Sequence, residues 1–229
     1  MSKQTALVVG ASRTLGLGIA RVYLDRGWDV IGTVRGTQST ALHDLADRAA
    51  GALEVEVMDM TVADQVRAVR DRLDGRTLDT VFVNAAIADA DLPVAQVPTA
   101  VFVDVMVTNA LAPMRVVEAF APLVPAGGTI GVMSSTQGSI SMNDNGGHEV
   151  YRASKSALNQ LMRSYAARRA GDAVSLFLMD PGWVQTELGG DGATLTVDES
   201  APGVVDTLLR HAGEPGLRFL DHRGATVPW

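Results

Sequence analysis

The sequence predicts an α/β fold: one doubly wound, mostly parallel sheet of about seven strands with helices on both faces. Three observations predict it. Short apolar, β-rich runs alternate along the chain with longer amphipathic stretches. The short runs are almost continuously apolar, as expected of parallel strands buried on both sides. Finally, 229 residues, 47% hydrophobic and 20% charged, are enough to bury a core without staples. No internal repeat, low-complexity linker or long charge run interrupts the chain, so residues 1–229 read as a single domain.

Strands are expected at Ala6–Val9, Asp29–Val34, Leu53–Met58, Thr80–Val83, Thr129–Met133, Val174–Met179 and Leu217–Leu220. The first helix is expected over Leu15–Arg26, where Leu15, Ile19, Val22 and Tyr23 share one face at three- and four-residue spacing. Further helices are expected over Ala41–Ala50, Asp64–Leu73, Val101–Val124, Tyr151–Arg169 and Glu199–His211. The glycine-bearing segments Ser139–Gly147 and Gly189–Thr196 read as loops. Both follow strands, at the edge where open α/β sheets bind ligands. Right-handed crossovers are expected to make the sheet doubly wound.

Composition excludes several classes. The absence of cysteine removes disulfides, thiolate metal sites and thiol nucleophiles together, and suits a reducing cytosol. A formal net charge of -7 argues against a nucleic-acid partner. His43, His148, His211 and His222 are scattered without H-E-x-x-H spacing, so no metal site is expected. The apolar run in MSKQTALVVG is too short for a signal-peptide core. No stretch approaches the roughly 20 apolar residues that span a bilayer. A cytoplasmic protein with no membrane partner is the expectation.

The first strand runs into Gly10-Ala11-Ser12-Arg13-Thr14-Leu15-Gly16-Leu17-Gly18 and then a helix. Glycines let the backbone turn tightly and approach a pyrophosphate, while the helix N-terminus offers free N–H groups and a positive dipole end. A plain strand-to-helix turn has similar composition, but this position after the first strand favours a dinucleotide. The segment resembles the T-G-x-x-x-G-x-G loop of the short-chain dehydrogenase/reductase family, which implies a Rossmann fold. In that register Gly10 and Gly16 match the first and third glycines, and Ser12, Arg13 and Leu15 share the turn. Thr14 stands at the second glycine, where a β-branched side chain either crowds the phosphates or donates its hydroxyl to one.

The second strand ends in Val34-Arg35, where many dinucleotide folds carry an acid for the ribose 2′-OH and an arginine accommodates a 2′-phosphate. Read alone, Arg13 and Arg35 each have two readings, a phosphate ligand or a solvated surface charge. With the acid missing, the pair points to NADP(H) over NAD(H), and the resemblance marks Arg13 the same way. Asp59-Met60 resembles the adenine-contacting segment, although Asp59 also suits a helix-capping region. Asn84-Ala85-Ala86 resembles the family's N-N/A-A-G segment, with Ala86 in place of glycine.

Tyr151 and Lys155, four apart in Y-R-A-S-K, share one face of a helix. A free tyrosine, with a pKa of about 10, is a poor base at neutral pH. A nearby ammonium and an oxidised nicotinamide favour the phenolate, so a lowered Tyr151 is expected. The fifth strand ends in Ser134-Ser135-Thr136-Gln137-Gly138, resembling S-S-x-x-G, whose second serine orients the substrate carbonyl; here that is Ser135, 16 residues before Tyr151. That spacing resembles the C-factor-like and sniffer-type carbonyl reductase branch. Asn109 matches the helix asparagine that helps hold a proton-relay water in family members. Pro181-Gly182-Trp183-Val184-Gln185-Thr186 resembles P-G-x-V-x-T, which implies Pro181, Gly182, Val184 and Thr186 at the nicotinamide.

The resemblance implies hydride transfer between NADPH and a carbonyl or alcohol substrate. Ser135 would orient the carbonyl and Tyr151 would give the proton. Lys155 would hold the nicotinamide ribose and Asn109 a water. Two alternatives stand beside it. One is a non-catalytic NADP(H)-binding signalling protein of the C-factor type, which the intact Asn-Ser-Tyr-Lys set argues against. The other is a nucleotide-sugar enzyme, which needs a C-terminal substrate domain larger than the 48 residues after Pro181. Gln137, Ile140, Met142, Asp144, His148, Glu149 and Trp183 are expected to line the substrate pocket. Asp144 and Glu149 read either as ligands for a polar or amine-bearing substrate or as solvated loop acids. Family members commonly pair through helices corresponding to Val101–Val124 and Tyr151–Arg169, which implies a homodimer or homotetramer.

Overall fold

A computed structural model describes residues 3–88 and 91–229. Strands β1 (Thr5–Val9), β2 (Asp29–Val34), β3 (Leu53–Val57), β4 (Thr80–Val83), β5 (Thr129–Met133), β6 (Ser175–Asp180) and β7 (Gly216–Asp221) form one sheet. All neighbours pair in parallel, in the order β3-β2-β1-β4-β5-β6-β7. This is the Rossmann-like α/β architecture that the alternating pattern predicts, and the strand ends agree with expectation to within one residue.

Successive side chains on a strand face opposite sides, and the sheet therefore divides the apolar residues into two cores. Leu7, Val9, Ile31, Val81 and Leu178 point one way, against α3 (Ala63–Arg72), α5 (Ala112–Phe120) and α6 (Glu149–Arg168). Ala6, Val8, Val30, Phe82 and Phe177 point the other way, against α1 (Thr14–Asp25), α2 (Ala41–Arg48) and α7 (Val197–Arg210). A further helix, α4 (Thr99–Met106), packs beside α6 and runs through a π-helical turn, Val107–Leu111, into α5.

Two expectations need correction. The continuous helical stretch Thr99–Leu123, with mean hydropathy 1.5, is long and apolar enough by length and composition to cross a membrane. Its second half is apolar because Ala110, Ala112, Val116, Val117 and Phe120 are buried against the sheet, whereas Val101, Phe102 and Val103 in its first turns are exposed. Second, the crossovers are not all of one hand. The β1-α1-β2 and β6-α7-β7 units step toward opposite edges of the sheet, yet α1 and α7 pack against each other on the same face. The last crossover therefore has the opposite hand to the first, against the strong right-handed rule. Close packing at Gly18 accommodates it: a Cβ there would lie 2.5 Å from Val197 at the start of α7.

The strand order reverses between β1 and β4, which opens a crevice beyond their carboxyl ends. The residues singled out by the sequence cluster along this edge. Core packing should be unforgiving: Phe120→Ala, at a fully buried site, is expected to cost about 3–5 kcal/mol in urea denaturation.

Candidate active site

The turn after β1 is built on close backbone approach. Gly10 adopts φ 81, and a Cβ there would lie 2.8 Å from the Cβ of Ala85. A Cβ on Gly16 would be driven into the Gly10 carbonyl oxygen. Gly10 N donates to Thr33 Oγ1 at 3.0 Å and Ala11 N to Thr33 O at 2.9 Å. From the far side, Asn84 Nδ2 donates to Gly10 O at 3.3 Å. Helix α1 starts here with no side-chain cap and no acid in its first turn. Its terminal N–H groups and positive dipole end therefore face outward without a side-chain acceptor, a cradle suited to a pyrophosphate. Ser12 is half-buried at the turn, whereas Leu15 is buried in the core beneath it.

The two positions that replace family glycines behave differently. Thr14 takes φ 46, in the left-handed region that strains a β-branched residue. Ala86 lies outside that region and carries no such strain. Arg13 is exposed and pairs with Glu187 at 2.8 Å. Arg35, directly past β2, is exposed and has no ion pair among the described residues. Asp59 accepts from Thr61 N at 2.9 Å and from Thr61 Oγ1 at 2.7 Å, so its side chain shapes the approach to α3, while Met60 is buried in the core.

A second cluster lies at the ends of β5 and β6. The loop after β5 docks on α6 through Gly138, where a Cβ would sit 2.9 Å from the Lys155 Cβ. Asn159 Nδ2 and Ser156 Oγ both donate to Gly138 O, at 3.2 and 3.0 Å, and Ser134 Oγ donates to Asn159 Oδ1 at 2.6 Å. This docking holds the Ser135 loop against the turn of α6 that carries Lys155, and Ser135 Oγ accepts from Gln137 N at 3.1 Å. Lys155, almost fully buried, donates to Met133 O at 2.9 Å and lies 5.7 Å from the centre of the Tyr151 ring.

Asn109 sits in the π-helical turn, a feature frequent at functional sites. Its amide is committed to protein partners: Oδ1 accepts from Ile87 N at 2.8 Å, and Nδ2 donates to Ile87 O at 2.7 Å and to Ser154 Oγ at 3.0 Å. Ser154 Oγ in turn donates to the Tyr151 carbonyl at 2.7 Å. Asn109 thus ties the loop after β4 to α6 at the turn carrying Tyr151.

The lowering of Tyr151 is expected with an oxidised nicotinamide beside it; the chain's own groups act, on balance, in the other direction. Burial pushes the phenol up to about 12; the Asp180 charge adds to the rise and the Ser135 hydrogen bond opposes it. Burial also pulls the Lys155 ammonium down to about 7. Both groups are buried, and burial disfavours the charged form of each. Asp180, itself raised by burial, is the residue that sequence reasoning missed. Its signal was an acid ending an apolar strand directly before Pro181-Gly182.

The substrate-side residues are spread along the rim. Gln137 is half-buried, and its Oε1 has no hydrogen-bond partner among the described residues. Ile140 and Met142 are exposed, and Trp183, also exposed, donates Nε1 to Gly189 O at 2.8 Å. His148 caps α6 at φ 46, with its N–H on Asp91 Oδ1 at 2.5 Å. Glu149 is committed to the protein, since its Oε2 accepts from Val94 N at 2.9 Å; Asp144 stays exposed. Of the segment after β6, Gly182 takes φ 77, Pro181 O accepts from Ser200 Oγ at 2.7 Å, and Val184 is buried. Thr186 Oγ1 accepts from Gly189 N at 3.0 Å, folding the loop back on itself.

The chain is similar to known proteins along its whole length. The family model described as enoyl-(acyl carrier protein) reductase matches residues 10–214. A chain from Burkholderia multivorans, solved as a short-chain dehydrogenase/reductase with bound NADP, superposes with a TM-score of 0.98 at 53% identity, over 100% of both chains. A carbonyl reductase from Pseudomonas aeruginosa PAO1 in complex with NADP superposes with a TM-score of 0.93 at 37% identity, also over 100% of both. The 1-hydroxy-2-glutathionyl-2-methyl-3-butene dehydrogenase of Rhodococcus sp. (strain AD45) is 33% identical over 232 residues, covering 98% of this chain and 99% of that protein.

Lys155 offers a pH test of the buried pair. Its folded value, about 7, lies below the ordinary lysine value of 10.5. Between these limits the unfolded chain binds the extra proton, so stability rises with pH. Lys155→Met removes the group, and its stability advantage over the natural chain in urea denaturation should shrink as pH rises from about 7 to about 9.

Proposed function

The chain belongs to the short-chain dehydrogenase/reductase family, and on that premise we propose that it is an NADP(H)-dependent oxidoreductase acting on carbonyl and alcohol substrates. Residues 1–229 would act as one dinucleotide-binding domain. The observation that carries the reading is the buried pair on α6, Lys155 lying 5.7 Å from the centre of the Tyr151 ring, with the Ser135 loop docked on the same helix through Gly138, at the sheet edge that also holds the glycine turn. The nicotinamide, when bound, supplies or accepts the hydride at carbon. The chain's own residues handle oxygen and proton.

Ser135 would hydrogen-bond the carbonyl oxygen and Tyr151 would give its proton to that oxygen as the alcohol forms. A phenol held protonated is the form that reduction needs. Lys155 would hold the nicotinamide ribose and stabilise the phenolate left on Tyr151, which a relay water would reprotonate from solvent. Because the Asn109 side chain is spent on Ile87 and Ser154, its role is to hold the loop and helix that frame Tyr151, and a relay water would sit on the nearby backbone. The turn Gly10–Gly16, with Asn84 and Ala85 beneath it, would take the pyrophosphate.

Preference for NADP(H) over NAD(H) rests on Val34-Arg35 where an acid would stand, on unpaired Arg35, and on Arg13, whose exposed pair with Glu187 contributes little and yields readily to a phosphate. The loops after β4, β5 and β6 carry exposed Leu92, Ile140, Met142, Trp183 and Leu188. These support a carbonyl compound with an apolar body, and Glu149, spent on Val94, no longer supports an amine. Exposed Val101, Phe102, Val103 and Leu161 on α4 and α6 support pairing of two copies.

Tyr151→Phe should lower kcat for NADPH-dependent carbonyl reduction by about a thousandfold while leaving NADPH affinity within about twofold; unchanged turnover would refute the assignment. Arg13→Ala with Arg35→Ala should weaken NADPH binding by about tenfold or more and leave NADH binding nearly unchanged, as read by fluorescence titration.

A further inference from the structure

Asp180 ends β6 between two loops that the proposed chemistry uses from opposite sides. It is only 5% exposed, yet both its oxygens are bound by main-chain donors. Oδ1 accepts from Thr136 N at 2.7 Å and Oδ2 from Gly182 N at 3.1 Å. The first donor directly follows Ser135, whose loop is docked on α6 at Lys155 through Gly138. The second lies in the Pro181-Gly182-Trp183 turn. Ladder hydrogen bonds end where strands end, so nothing regular holds the loops leaving β5 and β6 together. One carboxylate between them does so with charge-assisted bonds, which are about twice as strong as neutral ones. Two oxygens that both accept are the pattern of an ionised acid.

We propose that Asp180 is a positioning residue: its two main-chain bonds join the Ser135 loop to the Pro181–Trp183 turn. It directly follows Met179, the strand partner of the Met133 whose carbonyl takes the Lys155 ammonium, and so fixes the frame in which Ser135, Lys155 and Tyr151 meet. This rests on Tyr151 being the proton donor. The charged and titratable groups around the phenol are Lys155 on its own helix, Asp180 from β6 and, beyond that carboxylate, His222 after β7. The Nδ1 of His222 is buried without a hydrogen-bond partner among the described residues, so this ring acts on Asp180 through space. Asp180 raises Tyr151 in addition to burial, and removing its charge must therefore lower the phenol.

The chain has three tyrosines, so the Tyr151 component of an alkaline tyrosinate absorbance titration is obtained by difference from Tyr151→Phe in cofactor-free protein. In Asp180→Asn, its midpoint should fall by about one pH unit, the effect of losing one nearby like charge. The alkaline limb of the reductase kcat profile should fall with it, with kcat reduced more than KM for NADPH is raised. Asp180→Ala loses the remaining acceptor as well, and its kcat should lie about tenfold below that of Asp180→Asn. A Tyr151 midpoint unmoved in a cooperatively folding Asp180→Asn overturns the proposal, as does natural kcat in Asp180→Ala. Should the natural chain reduce no carbonyl compound, the functional reading fails, while the titration still decides what Asp180 does to Tyr151.

Discussion

A sheet whose strands all run the same way has no solvent face to spare, and each strand must be covered on both sides. That constraint organises the molecule. Leu7 and Val9 look to one core and Ala6 and Val8 to the other, so helices are required on both faces. Parallel running also sends every strand's carboxyl end to one edge. The glycine turn after β1, Arg35 after β2, Asn84 after β4, Ser135 after β5 and Asp180 at the end of β6 meet there because no strand is reversed. Even the opposite-handed last crossover serves this edge, because it seats the start of α7 against Gly18 beside the glycine turn.

Within that edge the dominant electrostatic fact is dehydration. Tyr151 and Lys155 are both driven toward their neutral forms by burial, and each would look ordinary in water. In such a pocket a single fixed charge has a larger effect than it would at the surface. The distribution of acids follows the same logic. Loop N–H groups need acceptors as much as substrates do, and Asp91, Asp59 and Glu149 are drawn into that task at His148, Thr61 and Val94. Asp180 does it twice, in a buried place, and it is there that a structural bond becomes a lever on chemistry.

Most of the fold was legible along the chain because periodicity is a local property. Strand limits at β2, β4 and β5 follow from apolar runs alone, and the first helix from Leu15, Ile19, Val22 and Tyr23. The ordered motifs around Gly10, Ser135, Tyr151 and Lys155 were legible for a related reason: tight turns and i, i+4 pairs are short-range. The Thr99–Leu123 helix was underrated because its apolar residues are interspersed with Asp104, Asn109 and Arg115, and continuous helical geometry still joins them.

By itself, then, the sequence determined the order of elements, the glycine turn, the missing acid after β2 and the spacing of the Ser-Tyr-Lys set. Tertiary structure alone decided the rest. It set the strain at Thr14, the commitment of the Asn109 amide to Ile87 and Ser154, and the handedness of the last crossover. It also decided that burial acts on both Tyr151 and Lys155, and that Asp180 joins the loops leaving β5 and β6. These properties depend on which distant segments exclude water from one another, and no local pattern of residues encodes that.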